Sequence, residues 1–397
     1  MNLKKLPNID LKNYTEQQIL NAFFVAAKTH KSSIALWRLP HTREVQLIIS
    51  FLGKFPRQVV DLNSKVPGFV ISPFVNPRGE QTIFMPAHLY FRQNQLFEIP
   101  SPYNKDFLKT FLSILDANNR ETSHYVCLNS DIGTPNQKNQ FIAIVKKAIE
   151  AIKKGEFDKV VLARTSLIEL NQQFDLINIF KVLEKECPDR FVFLVSTPNY
   201  GTWMGATPEL LFKVDNNLIL HTVALAGTKI ANSGSWTKKE IDEQALVTQF
   251  IIKQFNKLGL REWEKFGPKT VTAGNVAHLK TEFKVDLKAH HSPQLIGNSL
   301  LLHLHPTSAI CGMPKQSAQN FIKKHESFDR VFYGGYLGSV NIEEETCLYV
   351  NIRCMQLLEK QAILYAGAGI TRDSDPIKEW EETNLKYKML IQLLTYN

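Results

Sequence analysis

Leu364-Tyr-Ala-Gly-Ala-Gly-Ile370 is followed at once by Ser374-Asp-Pro376, Glu379-Trp-Glu-Glu382 and Lys386. The order reads as a hydrophobic strand that ends in glycines, then a helix bearing two carboxylates. Gly367 and Gly369 carry no side chain and let a ligand approach the backbone. Glu379 and Glu382 share one face of a helix by their spacing, and Lys386 falls on the same side. Such a strand end and helix can hold an anion and a divalent cation together. That points to an enzyme.

Working outward, the closing helix is expected from about Pro376 to Leu394, preceded by strands at Val331–Val340, Cys347–Leu358 and Gln361–Ala366. Upstream, Phe141, Val145, Ala148, Ile149 and Ile152 recur at helical spacing between Asn136 and Lys154, with Gly155 as a C-cap. A strand over Lys159–Leu170 follows, then a helix over Asp175–Glu186 closed by Cys187-Pro188. Strands are expected at Phe191–Ser196, Leu210–Val214 and Leu218–Val223, the last two joined by an Asp215-Asn-Asn217 turn. Residues 237–257 read as a long helix. Near the start, Thr15 caps a helix over 15–28, and Ser33–Leu39 and Val45–Phe51 read as strands. Residues 52–100 are strands and loops rich in Pro, Gly and Phe. No catalytic constellation appears before about residue 130. Short turns between adjacent strands favour antiparallel pairing. Helices do not alternate strictly with strands, so the expected class is α+β rather than a doubly wound parallel sheet.

The chain has 397 residues, 44% of them hydrophobic, which is ample for a large core. Its net charge is +9. The basic residues are dispersed, and no block interleaved with aromatics suggests a nucleic-acid groove. A basic balance helps attract a small polyanionic substrate. Five cysteines without a Cys-x-x-Cys argue against a disulfide framework or structural zinc. The first residues lack the apolar stretch of a signal peptide, and no apolar run is long enough to span a membrane. The expected home is a reducing cytoplasm.

Four sets of residues carry candidate chemistry. Lys159 enters the strand Lys159-Val-Val-Leu-Ala-Arg164. It reads either as a solvent-facing edge lysine or as a pocket-wall lysine tuned to act as a base. Glu209, in Ala206-Thr-Pro-Glu-Leu210, is an exposed strand-start acid or a carboxyl in an apolar pocket, able to donate a proton. Glu240 and Glu243 repeat the Glu-x-x-Glu spacing. One such pair is ordinarily a solvated face, but four carboxylates around one site would suit Mg²⁺. Arg353 ends an apolar segment, where a buried guanidinium calls for an anionic partner such as a substrate carboxylate. His303-Leu-His305 lacks a convincing third zinc ligand. Glu343-Glu-Glu345 reads as a surface hairpin. Walker A, Gly-x-Gly-x-x-Gly, Gly-x-Ser-x-Gly and His-Glu-x-x-His signatures are absent in the contexts they require.

Over roughly residues 135–395 the chain resembles the chorismate-utilising enzymes, and within them isochorismate synthase. The motifs run in order. They are Lys159 to Arg164, Ala206 to Leu210, Leu225-Ala-Gly-Thr228, Lys239-Glu-x-x-Glu243, His305-Pro-Thr307 and Phe328-Asp-Arg330 with Tyr333-Gly-Gly335. Ile352-Arg353, Ala366 to Ile370 and Ser374 to Thr383 complete the set. Amine-adding relatives typically carry glutamine where this chain has Lys159. Water-adding relatives, the isochorismate and salicylate synthases, are similar to this chain in having lysine. Aminodeoxychorismate synthases usually place a nucleophilic lysine where this chain has Ala226. Gln244 departs from the histidine that many relatives carry after the ligand glutamate.

The resemblance implies an isomerase of hydroxymutase type, with isochorismate serving menaquinone or catechol siderophore synthesis. Lys159 would deprotonate the water that attacks C2 of chorismate, and Glu209 would protonate the departing C4 hydroxyl. Mg²⁺ would bind Glu243 and Glu382 directly, with Glu240 and Glu379 acting through water or orienting the others. Arg353 and Lys386 would bind substrate carboxylates, helped by Tyr333 and the Gly367–Gly369 backbone. Ala226, Gly227 and Thr228 would line the substrate, and His305 would lie near the ring. The implied fold is one large α+β domain of two stacked, mainly antiparallel sheets with helices outside. Residues 131–397 would form the chorismate-binding core and 1–130 a variable N-terminal part of the same domain. A monomer is expected, with no obligatory glutamine amidotransferase. Salicylate synthase and the amine-adding synthases are the alternatives.

Overall fold

The computed structural model describes residues 3–6, 9–52, 57–61, 64–117, 124–126, 138–231, 233–273, 276–290 and 293–395. Within these it is α+β, built on two antiparallel sheets. The first sheet has eleven strands. Its centre runs Val45–Ser50, Ser33–Arg38, Phe191–Thr197, Gly201–Thr207, Cys354–Leu357, Gln361–Ile370 and Lys159–Glu169. The second has nine, and its centre runs Val276–Asp286, Ile219–Ile230, Leu210–Val214, Glu345–Val350, Tyr336–Ile342 and Gly68–Ser72. N-terminal strands thus enter both sheets. The β-rich reading of residues 52–100 matches strands Gly68–Ser72, Thr82–Pro86, Leu89–Arg92 and Gln95–Glu98.

The first sheet is covered on both faces. Phe191, Phe193 and Val195 point into the core shared with the second sheet. Val192 and Leu194 point the other way, into a core built with helices Glu16–Thr29, Asn104–Asp116, Leu176–Glu186 and Pro376–Thr395. Strand side chains alternate between faces, so a strand buried on both reads as a continuous apolar run. Among the described residues no helix is long and apolar enough to cross a membrane.

Local signals hold at several ends. Thr15 forms a capping box with Gln18, and Thr237 forms one with Glu240. Gly155 takes φ +78° past the helix Lys138–Lys153, where a Cβ would be strained. Asp215 accepts from the amides of Asn217 and Ile219 and so closes its hairpin. The N-terminal boundary expected at Asn136 lies outside the described residues, as does Cys127. The other four cysteines are free and buried.

Several expected elements are corrected. The segment 347–358 is not one strand. Glu345–Val350 belongs to the second sheet and Cys354–Leu357 to the first, and Arg353 between them takes φ +52°. Strand 331–340 begins only at Tyr336, because Val331 takes φ +48° in a turn. The strands ending at Val223 and Ala366 continue to Ile230 and Ile370. Strands Gly201–Thr207, Glu264–Ala273 and Val276–Asp286, and helices Pro293–Leu304 and Lys315–His325, had no counterpart in the sequence reading.

Candidate active site

Two chain crossings between the sheets build the floor of one cavity. At Pro208-Glu209 the chain leaves the first sheet for the second, and at Asn351–Arg353 it returns. The crossings are tied together. The Val350 amide donates to the Glu209 carbonyl at 2.9 Å, and the Ala206 amide to the Arg353 carbonyl at 3.1 Å. The Thr207 hydroxyl donates to the Val350 carbonyl at 2.7 Å. The cavity holds about 120 Å³. Glu209, Arg353, Tyr333, Gly367, Gly369, Ala226, Gly227, Glu240, Glu243, Glu382 and Lys386 line it, brought together from across the sequence.

Glu209 is 8% exposed. Burial pushes its carboxyl up to about 7, against weaker opposing effects of the Thr307 hydroxyl, Lys159 and Lys386. The group therefore titrates near neutral pH and is a carboxylic acid below it. Arg353 is desolvated, and with Arg190 nearby its guanidinium is drawn down to about 10, where it stays charged. The described residues give it no hydrogen bond or ion pair, which suits an incoming anion.

Lys159 is 1% exposed. Its Nζ lies 2.7 Å from Glu243 Oε1, behind the Gly369 backbone. The edge-lysine reading is thus ruled out, yet Lys159 is not in the cavity wall either and meets the cavity only through Glu243. Lys386 donates to Glu382 Oε1 and to the Gly367 carbonyl, each at 2.6 Å. Glu240 accepts from the Thr237 amide at 2.8 Å and caps its own helix. Gly227 takes φ +66°, and a Cβ there would meet Glu240 Cβ at 3.1 Å. A Cβ on Gly367 would meet Tyr333 Oη at 3.0 Å.

Other expected placements differ as well. Glu379 is 1% exposed and is not in the cavity wall, so three of the four glutamates line it rather than four. Among the described residues no group of three or more His, Cys, Asp or Glu side chains is gathered for a metal ion. The geometry explains this, because Glu243 and Glu382 turn to lysines and Glu240 to its helix cap. His305 does not line the cavity either. Its Nε2–H donates to the Pro73 carbonyl at 3.0 Å and its ring meets Tyr336 edge-on. Burial pushes it down to about 3, so it is neutral. The Thr228 backbone pairs with His278, and its side chain lies outside the described residues.

His278, Tyr365 and Leu225 also line the cavity and were missed. His278 Nδ1 lies 3.1 Å from the Gly227 carbonyl, and burial holds the ring neutral, at about 4. With Nδ1 as donor, Nε2 is an acceptor. The signal was present, because Leu279, Thr281, Phe283 and Val285 alternate with Lys280, Glu282 and Lys284 as a half-buried strand does. Gln244 donates to the Ala224 carbonyl at 3.1 Å and to Thr281 Oγ1 at 2.9 Å, tying its helix to the strands beneath.

Residues 104–395 match the family model described as chorismate binding enzyme. Over 260 residues the chain is 32% identical to isochorismate synthase MenF of Haemophilus influenzae, covering 63% of this chain and 59% of that one. Over 268 residues it is 30% identical to isochorismate synthase EntC of Escherichia coli strain K12, covering 65% and 67%. The matched stretch thus spans about three fifths to two thirds of these relatives' length. Among solved structures, the menaquinone-specific isochorismate synthase MenF from Escherichia coli superposes with a TM-score of 0.75 at 21% identity, over 99% of this chain and 94% of that one. Anthranilate synthase component I from Streptococcus pneumoniae gives 0.62 at 18% identity. At these identities the superpositions speak for the fold. The family model covers well over half of the chain, and the chain belongs to the chorismate-binding enzyme family.

Proposed function

We propose that this protein is an isochorismate synthase, an isomerase of hydroxymutase type. It adds water at C2 of chorismate and expels the C4 hydroxyl, with a shift of the ring double bonds. The observation that carries the reading is a small cavity lined by Glu209, which titrates near neutral pH, and by Glu243, which the buried Lys159 reaches from behind the wall. Lys159 takes a proton from the attacking water, and Glu209 gives one to the leaving hydroxyl. Arg353 and Lys386 hold the substrate carboxylates. Tyr333 and the glycine backbones shape the wall. Ala226 offers no competing amine where a nucleophilic lysine would stand. Residues 131–397 act as the core and 1–130 as the variable part of the same domain. The reading calls for no amidotransferase, and a cytoplasmic monomer goes with it. Relatives serve different ends, such as the vibriobactin-specific isochorismate synthase of Vibrio cholerae, so the product's use here is menaquinone or catechol siderophore synthesis.

Glu240, Glu243 and Glu382 line one cavity, and their carboxylates are hard oxygen donors of the kind Mg²⁺ takes once Glu243 and Glu382 turn from their lysines. Glu243 and Glu382 would hold the ion, with Glu240 and the buried Glu379 supporting them. A bound ion would supply Lewis-acid polarisation of the ring carboxylate. Chelation by EDTA is expected to abolish turnover and Mg²⁺ to restore it. Mg²⁺ should also raise the thermal midpoint of the free protein. Full turnover of stripped protein would remove the metal from the reading. The reaction itself is tested by incubating the protein with chorismate and Mg²⁺ and resolving products by chromatography. Isochorismate alone is expected, whereas salicylate with pyruvate would favour a salicylate synthase.

A Cβ at Gly369 would meet Glu243 Oε1 and Lys159 Cε, each at 3.1 Å. Both are far ends of flexible side chains, so Gly369→Ala should fold with a stability change of about 1 kcal/mol or less. Displacing this pair should nevertheless cut kcat by roughly 10-fold to 10²-fold. Denaturation midpoints beside steady-state rates would show the split. Undiminished kcat would place Lys159 away from the chemistry.

A further inference from the structure

We propose that Thr307 is a positioning residue that fixes which oxygen of Glu209 delivers the proton and steadies the carboxylate left behind. The inference rests on the reading of Glu209 as the general acid. Thr307 follows the helix Pro293–Leu304 in a loop whose next residues, Ala309 and Ile310, line the cavity. Its hydroxyl donates to Glu209 Oε1 at 3.2 Å. Oε1 is thereby occupied, and Oε2 remains to carry the proton.

The loop is held in place on both sides. The Thr307 carbonyl accepts from the amides of Ile310 and Cys311 at 3.2 and 3.0 Å. The Lys315 ammonium donates to the His305 carbonyl at 2.5 Å and to the His303 carbonyl at 3.5 Å. Across the loop, the Glu209 backbone is fixed by the Val350 amide. Donor and acceptor thus sit on separately anchored segments, and the hydroxyl needs no reorganisation during reaction.

In the step itself the Glu209 Oε2–H bond breaks and the proton joins the C4 oxygen. The C4–O bond breaks and its pair leaves with water. Glu209 becomes a carboxylate as a new C2–O bond forms, the C1–C2 π pair moves to C1–C6 and the C5–C6 pair to C4–C5, and Lys159 takes the proton of the attacking water. A hydrogen bond to a carboxylate is stronger than one to the neutral acid. Thr307 therefore stabilises the state after proton transfer more than the state before it, which is what accelerates a step. The other charged groups lining the cavity are Lys386, Arg353, Glu240, Glu243 and Glu382, with Lys159 paired to Glu243 behind them and His278 neutral. The substitution at 307 leaves all of them in place.

Removing a group that stabilises the carboxylate raises the pKa of Glu209. Thr307→Val should lower kcat about 10-fold or more with little change in KM. It should also move the basic limb of the kcat–pH profile to higher pH. Thr307→Ser, which keeps the hydroxyl, should restore both. A ¹³C-carboxyl NMR titration, with Glu209→Gln used to assign the signal, reads the same shift without turnover. A Glu209 titration unmoved in a folded Thr307→Val, or one that Thr307→Ser fails to restore, would overturn the proposal. If Glu209→Gln itself kept wild-type kcat, the failure would belong to the general-acid reading. Should Thr307→Val not fold, Thr307→Ala provides the same comparison.

Discussion

Glu209→Gln is expected to lower kcat by about 10²–10⁴-fold, the range a general acid typically contributes. Glutamine keeps the shape but has no proton to give to the departing hydroxyl. Chorismate affinity should change less, because in the proposed reading Arg353 and Lys386 would hold the carboxylates. The wild-type profile should fall on its basic side near pH 7, where burial has placed Glu209. Its acid is the active form, so rising pH removes it. The same burial has a consequence for folding. A carboxyl raised in the folded state is favoured while protonated. Its cost appears as pH rises above the ordinary carboxyl value of 4.5 and is complete above about 7. Glu209→Gln removes that cost. The variant should gain stability relative to wild type between pH 5 and 8, by up to about 3 kcal/mol at the upper end. Denaturant unfolding at the two pH values measures this. A variant with near wild-type kcat, or a stability difference independent of pH, would take the general-acid role from Glu209.

The parts of this site that were legible in the sequence are those where local spacing and family motif coincide. Gly367, Gly369, Glu382 and Lys386 lie within one strand–helix step, and their joint placement follows from helix and strand geometry alone. Lys159, Glu209 and Arg353 stand out singly, each with a bland reading beside the functional one, and only the motif resemblance gives them joint roles. Their convergence depends on the two sheet crossings. Residues 347–358 read as one strand because Cys347–Val350 and Cys354–Leu357 are both apolar. Only the left-handed backbone of Arg353 sends the second half into the other sheet. No side-chain pattern announces that reversal, because non-glycine residues rarely adopt it. His278 was missed because the alternation after it went unread. His305 was misplaced because a motif histidine beside a proline gave no hint of its bond to Pro73. Glu379 and Glu382 share a helix, yet their burial differs, and that depends on what packs against the helix rather than on spacing.

Lys159→Ala and Lys159→Arg should each lower kcat by about 10²–10⁴-fold, and comparing them separates two roles. In the structure Lys159 is both the partner of Glu243 and the candidate base. Alanine removes both roles and leaves Glu243 without this cation. Arginine keeps a cation beside Glu243 but cannot accept a proton from water, because its guanidinium stays protonated under all working conditions. If the lysine acted only by charge, arginine would recover much of the loss. If it acts as the base, arginine should remain as poor as alanine. Arginine is bulkier in a site that is 1% exposed. Circular dichroism and chorismate binding by titration calorimetry must therefore show that it still folds and binds. In Lys159→Ala, small primary amines should partly restore turnover in proportion to their free-base concentration, since the truncated side chain leaves room for them. Lys159→Arg that binds chorismate and turns over within about 10-fold of wild type would show that activation of water lies elsewhere. A loss confined to chorismate affinity would instead make Lys159 a substrate ligand, and the lysine-for-glutamine difference from the amine-adding relatives would no longer argue for water as the nucleophile.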